Sequence, residues 1–151
     1  MINTYDIYLI SDSTGETLER IFLAIKAQFK NFKYKTHFYS FTRTENQISK
    51  ILEVSEKNTN AIVLYTIVDN KLARHLSNEC SSKNIPCFGI LGDLIISFSK
   101  LLDQKALNVP SRQHIMDDEY YKKVKLEMYS VKETFVSKKN VINNAAKIIS
   151  K

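Results

Sequence analysis

The sequence has no tryptophan, two cysteines, two prolines, three glycines and no long apolar run, and each scarcity removes a class of function. Cys80 and Cys87 follow apolar patterns and lack metal-ligand spacing, so both read as buried small hydrophobes, and neither a disulfide nor a metal site is expected. None of Gly15, Gly89 and Gly92 is followed by a P-loop lysine, so the glycine-rich backbone cradle of that motif is missing. Runs such as Leu94-Ile95-Ile96 are far too short to cross a bilayer, and an acidic start (Asp6, Asp12) without an apolar signal core argues against export. A cytoplasmic protein with no membrane partner is expected.

What is present suits one domain: 151 residues with 44% hydrophobic content can bury a substantial core. The net charge of +6 is concentrated late, since residues 104–151 hold 10 of the 22 Lys/Arg but only 5 of the 16 Asp/Glu. This basic tail lacks the aromatic-basic motif of a known RNA or DNA module, and its lysines fall at helical spacing. A solvated helix face is expected there, with no nucleic-acid partner.

The densest polar cluster is Ser11-Asp12-Ser13-Thr14-Gly15-Glu16-Thr17, which follows an apolar run (Ile7, Leu9, Ile10) and opens an amphipathic helix. The first N–H groups of a helix lack internal partners and lie at the positive end of its dipole, so hydroxyls and glycine there suit a phosphate. A capping box of Ser13 with Glu16 is the competing reading. It leaves Ser11, Thr14 and Thr17 unexplained, while Asp12 and Glu16 would repel an anion without a cation.

Strand-like runs at 5–10, 34–41, 61–67 and 86–91 alternate with helical periods, among them Leu18, Ile21, Phe22, Ile25 and Phe29, then Ile48, Ile51 and Leu52, then Leu72, Leu76 and Cys80, then Leu94, Phe98, Leu101 and Leu102. Strands separated by single helices cross over right-handed, which predicts an α/β fold: a parallel four-stranded sheet of order 2-1-3-4 with helices on both faces. Ligands bind such sheets outside the carboxyl ends at the switch point, here between strands 1 and 3. The Ser11–Thr17 turn and Thr66-Ile67-Val68-Asp69-Asn70 should therefore face one crevice. Arg43 lies near it, beside an expected second capping box of Thr42 with Glu45. Beyond Leu102, Asp103 to Asp118 reads as a long loop with Pro110-Ser111-Arg112-Gln113-His114, followed by a helix bearing Tyr121, Val124, Met128 and Val131, and a basic helical tail. The expected domain organisation is an α/β domain at 1–103, a loop and helix at 104–131, and a divergent C-terminal helical extension at 132–151.

Ser11 to Thr17, Arg43-Thr44, Thr66-Ile67-Val68-Asp69, Ile85-Pro86-Cys87-Phe88 and Pro110 to His114 with Tyr120-Tyr121, in that order, resemble the pyruvate, phosphate dikinase (phosphoenolpyruvate synthase) regulatory protein family from about residue 5 to about residue 131. The resemblance implies an ADP-dependent Ser/Thr kinase that inactivates the dikinase by phosphorylating a threonine. It also implies a phosphate-dependent phosphorylase that reverses this and releases pyrophosphate. ADP or ATP and phosphate would be substrates, with no tightly bound cofactor. The candidate catalytic residues are Asp12, Asp69 and His114, and the candidate phosphate ligands are Ser11, Ser13, Thr14, Gly15, Thr17, Arg43 and Arg112.

The departures are specific. The family's second half carries a P-loop of the form G-x-S-R-T-x-K-T-P, which this chain lacks. Gly89 stands where the family usually has Asp, Asp93 where it has Pro, Ser111 where it has Gly, Lys123 where it has Arg and Met128 where it has Glu, and the His-Asp-Asp-Gly continuation after Val131 is missing. A truncated member is expected, inactive alone or completed by a separately encoded C-terminal half, with the dikinase as partner. Two other readings stand beside it. One is a non-catalytic interaction module. The other is a flavodoxin-like FMN binder, whose hydroxyl-rich phosphate loop Thr14-Gly15-x-Thr17 resembles; the missing tryptophan and the nearby Asp12 and Glu16 weigh against it, and a yellow purified protein would favour it.

Overall fold

The computed structural model describes residues 3–110. Four strands alternate with four helices: β1 (Thr4–Ser11), α1 (Glu16–Lys26), β2 (Lys33–Tyr39), α2 (Glu45–Ser55), β3 (Ala61–Thr66), α3 (Asn70–Ser82), β4 (Cys87–Gly89) and α4 (Gly92–Leu102). The strands form one sheet of order β2-β1-β3-β4. All pairings are parallel, with Ile7 opposite Thr36 on one side and Ile62 on the other, and Ser11 opposite Thr66 at the carboxyl edge. This is the fold that the alternating pattern predicts. The predicted C-terminal helical extension lies outside the described residues.

The alternation of side chains along β1 divides the core in two. Tyr8 and Ile10 join Ala61 and Val63 on the face covered by α2 and α3, where Ile48, Ile51, Leu52, Leu72, Leu76 and Cys80 pack. Ile7 and Leu9 join Leu64 on the opposite face, where Leu18 and Phe22 of α1 pack. Because Leu52 and Leu76 are fully buried, truncating either to Ala should cost about 2–5 kcal/mol. Cys80 and Cys87 are both free thiols, and a hydrogen bond between them, reinforced by burial, pushes the Cys87 thiol up.

Several details depart from the sequence pattern: β4 covers only Cys87–Gly89 of the expected 86–91, and Cys87, expected buried, is only half-buried. Strand β2 ends at Tyr39, not at 41, because Phe41 takes a left-handed φ of 52° that turns the chain out of the sheet. Helix α1 stops at Lys26, so Phe29, expected on its apolar face, lies 61% exposed beyond it. In α4 the apolar period is present yet none of its residues is buried.

Candidate functional site

The carboxyl ends of β1, β2 and β3 are tied into one unit by the turn that follows β1. Ser11, 1% exposed, gives its carbonyl to the Thr42 N–H at 2.8 Å, and its hydroxyl oxygen accepts from the Ser13 N–H at 3.1 Å and from the Thr66 hydroxyl at 3.2 Å. The Asp12 N–H donates to the Thr66 carbonyl at 3.2 Å, the Phe41 N–H to the Ser13 carbonyl at 2.9 Å and the Ser40 hydroxyl to the Thr14 carbonyl at 2.8 Å. The turns after β1 and β3, far apart in sequence, are adjacent as the switch-point rule requires.

Asp12 is 4% exposed, and its Oδ2 accepts from the Val68 N–H at 2.8 Å. Burial holds this carboxyl above its ordinary value of 3.8; the Val68 and Asp12 N–H groups and the Arg43 guanidinium pull it down, and the Asp69 charge pushes it up. Arg43 donates from Nε to the Asp12 carbonyl at 3.0 Å, with its guanidinium 5.5 Å from the centre of the Phe41 ring. Asp69 caps α3 by accepting from the Leu72 N–H at 2.9 Å. Arg43 and Asp69 both lie close enough to Asp12 to act on its charge, the first favouring the carboxylate and the second opposing it.

Helix α1 enters through Gly15, whose φ of 85° is a left-handed conformation that glycine adopts without cost. No side chain caps this helix, so the expected capping box of Ser13 with Glu16 does not form. The Ser13 N–H is already turned inward to Ser11, while Thr14 and Thr17 are exposed at the helix entrance. The second expected box is displaced by two residues. Thr44 caps α2 by accepting from the Gln47 N–H at 3.2 Å, and the Gln47 carbonyl accepts from the Thr44 N–H at 3.1 Å. Thr42 is buried instead, donating to the Tyr39 carbonyl at 3.3 Å. The left-handed turn at Phe41 delays the helix and shifts the frame.

Of the candidate residues, Ser11, Asp12, Ser13, Thr14, Gly15, Thr17, Arg43 and Asp69 therefore lie on or beside this set of turns, whereas Arg112 and His114 lie outside the described residues. Sequence reasoning put Val68 at the crevice without foreseeing its N–H as the partner of Asp12, read Thr42 as a helix cap, and missed Ser40. Their only signal was position, at the ends of β2 and β3. Among the described residues no group of three or more His, Cys, Asp or Glu could hold a metal ion. No helix among them is long and apolar enough to cross a membrane.

A family model described as kinase/pyrophosphorylase matches residues 7–149, reaching past residue 131, where the resemblance was expected to end. Similar proteins include one from Pelagibacter ubique (strain HTCC1062), provisionally designated a pyruvate, phosphate dikinase regulatory protein, which is 61% identical over 131 residues, covering 87% of this chain and 48% of that protein. Proteins with the same designation from Chelativorans sp. (strain BNC1) and Geotalea uraniireducens (strain Rf4) are 38% identical over 120 residues and 35% identical over 127, covering 80% and 84% of this chain and 44% and 47% of their own lengths. The chain thus spans about half the length of the curated relatives it matches.

Proposed function

The chain belongs to the kinase/pyrophosphorylase family, and on that premise we propose that it supplies one half of a phosphoryl-transfer site acting on a pyruvate, phosphate dikinase. The full site would transfer the terminal phosphoryl group of ADP to a dikinase threonine, the hydroxyl oxygen forming the new P–O bond as AMP leaves. In reverse, phosphate would attack the phosphothreonine, its oxygen forming the new P–O bond as the threonine oxygen leaves, to give pyrophosphate and a free hydroxyl. The observation that carries this reading is the stitched set of turns after β1, β2 and β3, which brings Asp12 and Arg43 together next to the entrance of α1, where no side chain caps the helix.

Phosphoryl transfer depends on positioning and on stabilising charge more than on covalent chemistry. In this chain the α1 entrance, with Thr14, Gly15 and Thr17, would hold a phosphate by N–H and hydroxyl donors. Arg43, anchored through Nε on the Asp12 carbonyl, would offset the charge of the two carboxylates. Asp12, fixed by the Val68 N–H and raised by burial, would accept the proton of the target hydroxyl, with Asp69 as the second candidate. Arg112 and His114 belong to the same proposal through the family resemblance. A lysine-bearing P-loop would come from the remainder of the family's length, in the same polypeptide or in a separately encoded one. The two free thiols fit a cytoplasmic setting.

Without that loop, phosphate should bind at about millimolar level, roughly −4 kcal/mol. Calorimetry with millimolar phosphate tests this. Heat that disappears in Thr14→Val and Thr17→Val supports the site, and equal heat in both variants or none in the wild type contradicts it.

A further inference from the structure

Among the described residues, the two faces of the sheet are unequally covered. Four strands about 4.8 Å apart make a sheet roughly 19 Å wide, and a helix with its side chains is about 10 Å across, so each face needs two helices. One face has them, α2 and α3. On the other, α1 is the only helix of the described residues in the core. Beside it runs an apolar groove of about 610 Å³, whose lining includes Ile7, Phe22, Ile62, Leu64, Phe88 and Ile90. Phe88 is 56% exposed.

Helix α4 begins two residues after Ile90 and repeats the anomaly. Leu94, Ile96, Phe98, Leu101 and Leu102 are all exposed, and no residue of the helix is buried. Leu94, Phe98, Leu101 and Leu102 share one face of the helix, with Ile96 on the opposite side, and such an apolar face is stable in water only when it is covered. Among the described residues the groove and the apolar face of α4 are two separate surfaces with no helix packed on them, which suits an occupant larger than a single helix. The relatives carry that much more chain, since the match covers 48% of the Pelagibacter ubique protein and 44% of the Chelativorans one.

We propose that the α1-side groove and α4 are the docking surface for the remaining half of the family's fold, seated on Phe88 and Phe98. The proposal rests on family membership and on the reading that a second half completes the site. Its readout is binding alone, so a docked but inactive complex would fail the catalytic reading and leave this one standing.

To test it, the full chain is co-expressed with the unmatched half of the Pelagibacter ubique relative as a separate polypeptide and followed by size exclusion and calorimetry. A one-to-one complex is expected. Phe88→Asp and Phe98→Asp, each confirmed as folded by circular dichroism, should weaken it at least tenfold, while Val54→Asp, on an exposed position of α2, should not. Phe88→Ala provides a milder variant should the charged one unfold. The chain alone should bind the apolar dye ANS and lose that signal on complex formation. No complex, a complex indifferent to Phe88 and Phe98, or a chain that binds no ANS would overturn the proposal, as would a homodimer of this chain that Phe98→Asp dissolves.

Discussion

Replacing Asp12 by Asn and by Ala should give opposite results, and the structure says why. The carboxylate is 4% exposed and satisfies the Val68 N–H at 2.8 Å. Alanine removes the acceptor and leaves the half-buried Val68 N–H unpaired, a loss of up to about 1–3 kcal/mol, which at a urea slope of about 1–3 kcal/mol/M lowers the unfolding midpoint by roughly 1 M. Asparagine keeps an acceptor oxygen without the buried charge. Because burial raises the Asp12 carboxyl above 3.8 in the folded state, the folded protein binds its proton more tightly than the unfolded chain does. Stability from this group is then fully present below 3.8 and falls as pH rises through the raised value. Asp12→Asn should therefore match or exceed the wild type at neutral pH. The stability difference between the two proteins should shrink on acidification toward 3.8. Urea unfolding of both variants across acid to neutral pH is the assay. Equal destabilisation by Asn and Ala at neutral pH, or a difference independent of pH, would refute the reasoning.

Leu76→Ala, at a fully buried α3 position, should cost about 2–5 kcal/mol, read as a lowered thermal midpoint. Gly15→Ala forces a side chain into a φ of 85°, costing about 1–2 kcal/mol in urea unfolding and weakening phosphate binding in calorimetry. Thr44→Ala should cost about 1 kcal/mol through loss of the α2 cap, while Glu45→Ala should change stability by less than half as much, since Gln47 and not Glu45 closes the box.

The sheet order was legible because it follows from non-local rules with few solutions. Single helices between apolar runs force parallel crossovers, and the run Ala61-Ile62-Val63-Leu64 had to lie inside. The helix entrances were not legible, since a capping box is a local pattern that several nearby residues satisfy equally well. One left-handed residue, Phe41, moved the box from Thr42 to Thr44. Asp12 was picked out by its place in the turn, but its fixing by Val68 joins residues 56 apart in sequence, and no spacing in the chain announces such a bond. The period of α4 identified a helix correctly. Apolar spacing tells that a face is to be covered, never by what, and the described residues do not cover it.

The most direct measurement of the central claim, that this chain supplies part of a phosphoryl-transfer site, incubates a cognate dikinase with nucleotide labelled in its terminal phosphate. The chain is present alone or with the relatives' remaining half. Loss of several preorganised phosphate contacts at about 3–4 kcal/mol each removes many orders of magnitude in rate, against about 10²–10⁴ from acid-base help. The account predicts no label on the dikinase with the chain alone, and label on a threonine when both halves are present, lost with Asp12→Asn. Label transferred by the chain alone and abolished by Asp12→Asn would contradict it, because a complete site would then exist within these 151 residues.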